Sequence, residues 1–412
     1  MPYLNYLNLS LPLKYNFKKS DTLRLFIFVL VFLSSFIEIE AQVTRNGPLR
    51  EYQTQSEKIK EESKNGSIAT KRASINQFVD TYLKGEKKFK KGTVPIVIHL
   101  MTKKKISIDD VVRQIDSLSL DFNRTKEKQL FKHEADKRKK FDTLVVDIGL
   151  NFCLARSNSK GEKIDALTIY PQYTVNKLDI QAIKNKSKGG VSPIDPEQIL
   201  NVWVVDLEED QAGFAQMPGG NSAEDGIVIN ASYFGIDDNK ENPYGGGKTL
   251  THLVGCYLGL YELWNDSEPC SDDGIKDTPI HNAPNYFNTK YKHISLCPGY
   301  PVELTMNYMD NTDDSELTMF TKGQSERVLA ILSDEGARSL LLDNNVKCDN
   351  NLNNNVVLER NFQDLEVSVY PNPSYEFFNL EISNSTDESN VEIDIFNSSG
   401  LLVFKKTEPI LK

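Results

Sequence analysis

The sequence predicts an α/β (α+β) domain of about 250 residues followed by a small all-β unit. Three observations predict it. Runs of strand length occur at 93–100, 144–154, 201–205 and 226–230. Helical spacing of apolar residues falls between and after them. An Asn/Asp-rich break at 349–355 is followed only by short strand-like runs. The 412 residues are 39% hydrophobic and 26% charged, a globular balance. The net charge of −10 argues against a broad nucleic-acid surface, and the basic stretches at 84–91 and 137–140 read as solvated faces or loops, so no nucleic-acid partner is expected.

Taken in order, Lys18, Lys19 and Arg24 precede an apolar run over 25–33, and a polar stretch then ends at Ala41-Gln42. Basic flank, short apolar core and small residue at the break are the parts of a secretory signal peptide over 1–41. The run is shorter than the roughly 20 apolar residues that span a bilayer. No other stretch is apolar enough, so an exported chain without a transmembrane segment is expected, secreted or at the cell surface. Residues 42–92 are polar and Lys/Glu-rich, and read as a pro-segment or flexible lead-in. They contain no cysteine and so cannot place a thiolate on a metal.

The main domain is expected over 93–348. Ser107 is placed to cap a helix whose stripe is Val111, Ile115, Leu118 and Leu120. A later helix ends at Tyr257 and Leu258, stopped by Gly259. The cysteines are Cys153, Cys256, Cys270, Cys297 and Cys348, an odd number in an exported chain, so at least one stays outside disulfides.

The chemistry-bearing segment runs from Gly245 to Glu262. Zinc hydrolases of the long-motif type use H-E-x-x-H-x-x-G-x-x-H. Histidines at i and i+4 share a helix face, Gly turns the chain so that the last His reaches the ion, and Glu takes a proton from the metal-bound water. On that template His252 fills the first ligand position and Gly259 the turn. Leu253 stands at the general-base position, Cys256 at the second ligand and Glu262 at the third.

The flanking text resembles the pappalysin or cytophagalysin family of metzincin zinc metallopeptidases over roughly 93–345. The resemblance rests on Pro95 to Leu100, Asp121-Phe122-Asn123-Arg124-Thr125, Asn151-Phe152-Cys153-Leu154-Ala155, Gly213 to Gly220 and Asp225 to Ile229. It continues through Asp277-Thr278-Pro279, Asn307-Tyr308-Met309-Asp310 and Phe320 to Gln324. It implies a metzincin-like catalytic domain with a mixed twisted sheet and a zinc helix, peptide-bond hydrolysis, and protein or peptide substrates. It makes Met309 the Met-turn floor below the metal, a position an ordinary buried Met would also fill. Asn311 stands where relatives carry a Tyr that swings towards the transition state. The resemblance also implies a Cys270–Cys297 disulfide and lacks a second nearby one, with Leu317 at an expected cysteine position. It implies structural calcium near the acidic block, with Asp272, Asp273 and Asp277 as hard oxygen donors. The plainer reading of that block is an acidic exposed loop.

His252, Cys256 and Glu262 form a conceivable zinc set. The alternative is that Cys256 is a small buried residue on the core side of a helix with no metal. Leu253 cannot accept a proton, and losing a general base costs about 10²- to 10⁴-fold in rate. The expectation is a homologue of zinc endopeptidases that is inactive or crippled and persists as a binding or structural module. A slow endopeptidase using those three ligands and a decaying copy are the alternatives.

Beyond a linker over 349–366, Val369-Tyr370-Pro371-Asn372-Pro373, Phe378-Asn379-Leu380 and Ile395 to Gly400 resemble a type IX secretion sorting domain over 367–412. That implies a β-sandwich recognised by the type IX secretion machinery. Such domains usually run further than Lys412, so final strands are expected to be missing.

Overall fold

The computed structural model describes residues 51–52, 66–123, 144–170, 180–208, 210–237, 242–264, 270–289, 292–343 and 345–348. It also describes four strands beyond 365. The signal-peptide region, Arg124-Thr125, the basic stretch at 137–140 and most of the 349–366 linker lie outside the described residues.

Among the described residues the central sheet comprises β1 (Glu51–Tyr52), β2 (Gly92–Met101), β3 (Leu150–Leu154), β4 (Leu167–Ile169), β5 (Leu200–Val205), β6 (Gln211–Ala215) and β7 (Ile227–Asn230). The order is β1-β6-β7-β5-β2-β3, with β4 paired to β2 beyond β3. β2 runs parallel to β3, β4 and β5, and β5 parallel to β7, whereas β6 runs antiparallel to β7. The sheet is therefore mixed, and β2 lies inside it. Its residues from Val94 to Met101 are buried on both faces, as a covered parallel strand requires.

Alternation along β2 divides the core. Val94, Ile96, Ile98 and Leu100 join the large cluster shared with the helices. His99 points to the other face, where Nδ1 meets Thr168 Oγ1 at 2.9 Å on β4 and Nε2 meets Asn201 Oδ1 at 3.0 Å on β5. Burial lowers its pKa to about 4, so the ring stays neutral while tying three strands together.

Between the strands lie α1 (Gly66–Lys84), α2 (Ile108–Phe122) and the single turn α3 (Ile180–Ile183). After them come α4 (Lys248–Tyr257) and α5 (Lys322–Ile331). Ser107 and Asp110 form a capping box on α2. The buried stripe is Val111, Ile115, Leu118 and Phe122; the expected Leu120 is 47% exposed. A 3.6-residue period carries the stripe from 118 to 122 and turns 120 outward.

Two further expectations are corrected. The strand expected over 144–154 is confined to β3, because Gly149 takes φ 81°. Upstream of it, Val145 makes an isolated bridge to Thr321. The lead-in is not uniformly loose either. β1 adds to the sheet through β6, and α1 packs against α5, with Val79 buried beside Ala330 and Ile331. Ile75, Phe78, Tyr82 and Leu83 flank that contact, an i, i+3, i+4, i+7, i+8 stripe.

Two disulfides join Cys153 to Cys348 and Cys270 to Cys297, and Cys256 is in neither. Leu317 is a buried core residue. Beyond the main domain, β8 (Glu366–Tyr370) pairs antiparallel with β9 (Asn379–Ser383), and β10 (Asn390–Phe396) with β11 (Leu402–Pro409). No described helix is long and apolar enough to cross a membrane.

Candidate metal centre

The helix that carries the motif begins without a side-chain cap of its own. Gly247, at φ 74°, occupies the N-cap, and Asp314 Oδ2 accepts from Lys248 N at 3.0 Å in place of a capping side chain. All of Thr249 to Tyr257 is buried, so α4 is a core helix, apolar on every side but for a few polar groups. It ends where Gly259 adopts φ 94°. The Gly259 N–H then donates to Cys256 O and the Leu260 N–H to Gly255 O, both at 2.9 Å. A left-handed residue at that point reverses the chain and brings Glu262 back over the helix.

The result is convergence. One ligand atom each from His252, Cys256 and Glu262 lies within 4.8 Å of the other two. Among the described residues this is the only such group of three. The three are 0%, 1% and 5% exposed. Ligands of a single zinc ion at ~2.0–2.3 Å sit roughly 3.5 Å apart, a separation inside that bound. Imidazole, thiolate and carboxylate are all zinc donors, and the donor set fits that ion.

The His252 ring is fixed from behind. Its Nδ1 lies 2.9 Å from Tyr308 O, an acceptor, so Nδ1 carries the proton and Nε2 carries the lone pair. Tyr308 is held in turn, because its hydroxyl donates to Asp121 Oδ1 at 2.8 Å. Asp121 Oδ1 and Oδ2 accept from Lys248 Nζ at 2.7 and 2.9 Å, and Oδ2 also accepts from Thr251 Oγ1 at 2.7 Å. One carboxylate on α2 thus joins two residues of the motif helix to the turn that orients its histidine.

Met309 is fully buried beneath this helix; a Cβ added to Gly255 would lie 2.6 Å from its sulfur. Asn307 shapes the turn, with Oδ1 accepting from Met309 N at 2.9 Å and from Gln324 Nε2 at 3.0 Å. Asp310 follows, and burial pushes its pKa up to about 7, although Asn285 N and Nδ2 each donate to it at 2.9 Å. Asn311, next in the chain, is buried with its N–H on Asp310 Oδ1.

Leu253 is 1% exposed and belongs to the large core cluster; its Cδ1 lies 3.1 Å from where a Cβ on Gly213 would stand. It is packed against β6. The carboxylates of the acidic block are engaged locally, and Asp273 Oδ2 is buried without a hydrogen-bond partner among the described residues. Asp272 accepts from Gly274 N, Asp273 from Ile275 N and Thr278 Oγ1, and Asp277 from Thr321 Oγ1 and Gly323 N. The three carboxylates serve separate local turns and the start of α5, and they do not converge as one ligand set. Burial raises the pKa of Asp273 to about 7.

His252, Cys256, Glu262 and Met309 were legible in the sequence. Asp121 and Tyr308 appeared there only within blocks of resemblance, and nothing local signals that a residue on α2 supports a histidine 131 positions later.

Residues 191–333 match the family described as pregnancy-associated plasma protein-A, and residues 368–409 match a secretion system C-terminal sorting domain. Extracellular metalloproteases of Arthroderma gypseum and Arthroderma benhamiae are 38% and 36% identical over 138 residues. Those matches cover 31% of this chain and 46% of each relative, so the chain spans about half the length of these relatives. Mature mirolysin of Tannerella forsythia, solved with a cleaved peptide, is 30% identical, with a TM-score of 0.55 over 62% of this chain and 97% of its own. A promirolysin variant of the same organism is 29% identical, with a TM-score of 0.59 over 70% of this chain and 94% of its own. A fold shared along almost the whole length of mirolysin, together with the sorting-domain match, places this chain as a secreted or cell-surface member of the pappalysin-type metzincin metallopeptidase family.

Proposed function

We propose that this chain keeps the metallopeptidase scaffold and its metal-ligand convergence but does not hydrolyse peptide bonds efficiently, and acts by binding a protein or peptide. One observation carries the reading: Leu253, buried in the core, occupies the general-base position. An ion bound by His252, Cys256 and Glu262 would supply Lewis acidity to water and to a carbonyl. The chain has to move the proton, and an isobutyl group cannot accept one. That absence alone costs about 10²- to 10⁴-fold in rate. Asn311 supplies an amide where a phenol would serve, and two anionic ligands in place of two imidazoles reduce the electrophilicity of any ion held there.

The domain plan is part of the same reading. A leader over 1–41 directs export, and the lead-in over 42–92 is a pro-segment carrying a docked helix. The scaffold spans 93–348, and a sorting domain beyond 366 engages a type IX secretion apparatus. The larger share of this chain matched by promirolysin than by mature mirolysin, 70% against 62%, supports the pro-segment assignment.

The convergence of the three ligand atoms favours a second reading, a slow zinc endopeptidase. Purified full-length chain incubated with an unfolded protein substrate separates the two. Hydrolysis abolished by a chelator would establish the slow enzyme. The expected result is no cleavage by the native chain and its appearance in the triple variant Leu253→Glu, Cys256→His, Glu262→His.

A further inference from the structure

We infer that His252, Cys256 and Glu262 hold a soft divalent ion as a thiolate-ligated, charge-neutral centre whose role is to stabilise the fold. This rests on the non-hydrolytic reading above and deepens it by giving the metal a structural duty.

The charge count is the first support. A neutral imidazole, a thiolate and a carboxylate sum to −2, which cancels a divalent cation. Three imidazoles would leave the full +2, which needs water or an anionic ligand close by. Moving an uncompensated ion out of water costs many kcal/mol, whereas a neutral complex avoids most of that cost.

Burial is the second support. The three ligand residues are at most 5% exposed, and Leu253 and Met309 beside them are 1% and 0% exposed. An apolar wall is a poor environment for a cationic centre and a good one for a neutral centre. The replacement of the base by Leu253 and the replacement of two imidazoles by anionic ligands are therefore physically consistent with each other.

The thiol itself is the third support. The four other cysteines are committed to Cys153–Cys348 and Cys270–Cys297. Cys256 lies 1% exposed on the face of α4 that carries His252, four residues away, and its sulfur is among the converging ligand atoms. A soft sulfur donor selects zinc, cobalt or cadmium over calcium and magnesium. Because the ligands come from α4 and from the segment beyond the Gly259 turn, ligation fastens that turn to the helix, and binding free energy adds to folding free energy.

The test is cobalt substitution of the full chain. Native protein stripped of metal and titrated with Co²⁺ alone is expected to develop a thiolate-to-cobalt charge-transfer band at one equivalent. Zn²⁺ is expected to displace it and to raise the thermal midpoint. Cys256→Ser, checked by circular dichroism for an unchanged fold, should lose the band and bind zinc at least ~100-fold more weakly. Glu262→Gln should retain the band with weaker zinc binding. Failure to take up metal, or one equivalent of cobalt without a sulfur band, overturns the inference from the native chain alone. So does Cys256→Ser binding zinc as tightly as the native chain. Peptide hydrolysis is assayed on the same samples. A sulfur band with hydrolysis overturns the non-hydrolytic reading and the purely structural duty but leaves the ligand set standing. No band and no hydrolysis overturns the ligand set alone.

Discussion

At the scale of single residues, Asp121 does more for the candidate site than any of its neighbours outside the ligand set. It accepts from Lys248, Thr251 and Tyr308, and is 9% exposed. Through the Tyr308 carbonyl it bears indirectly on the tautomer of His252. Replacing it with Ala would strand the Lys248 ammonium, whose side chain is 17% exposed, and leave two hydroxyls seeking acceptors. Breaking one partner of a buried pair costs about 3–5 kcal/mol. Urea unfolding of Asp121→Ala is expected to show a loss near the lower end of that range, since Lys248 retains some solvent. Asp121→Asn, which keeps one acceptor, should lose less. A loss below about 1 kcal/mol for the Ala variant would mean that this carboxylate does not bear the load assigned to it.

At the scale of elements, α1 is the part of the chain that sequence reasoning underrated. Its stripe at Ile75, Phe78, Val79 and Tyr82 is regular, but it lies in a segment dominated by Lys, Glu, Asn and Ser, where composition masks periodicity. Its partner α5 lies about 250 residues away, so no local pattern announces the pairing. The contrast with α4 is instructive. There the ligand spacing is local to one helix and one turn, so His252, Cys256, Gly259 and Glu262 could be read directly. The hydrogen bonds that support them run through Asp121 and Tyr308, which are distant in sequence and could not. Leu120 differs for another reason: it is apolar, but the 3.6-residue period places it off the buried stripe. The same α1 contact reaches the ligand turn. Arg327 donates through Nε to Gly259 O and through Nη2 to Asn76 Oδ1, both at 2.6 Å. Val79→Asp would bury an unpaired carboxylate between α1 and α5. It is expected to undock α1 and to make the lysines of 84–91 several-fold more sensitive to a Lys-directed protease under native conditions. Equal cleavage rates in native and variant chains would show that the helix is not held by this contact.

At the scale of the whole molecule, the long disulfide connects β3, at one end of the sheet order, to the segment at 345–348. Cys153 lies on β3, at one end of the sheet order, and Cys348 bridges the neighbouring Ala155. Arg156 N also donates to Lys347 O at 2.7 Å, and Lys347 N to Ser157 Oγ at 3.0 Å. The segment at 347–348 is therefore laid along residues 155–157, just after β3, and fixed covalently to β3 at Cys153. The Cys153–Cys348 link spans 195 residues and the Cys270–Cys297 link 27. In the chain-entropy account the first restrains the unfolded state by about 5 kcal/mol and the second by about 3.5 kcal/mol. Removing each pair as a double Ser variant should lower unfolding stability in that order, with the long link costing about 2–5 kcal/mol once strain and residual denatured structure are included. Chemical denaturation of the two variants under matched conditions measures the difference. The reverse order would mean that the short link acts mainly on the folded state. It would then be holding the segment that carries Asn285, whose N and Nδ2 donate to Asp310 beside Met309.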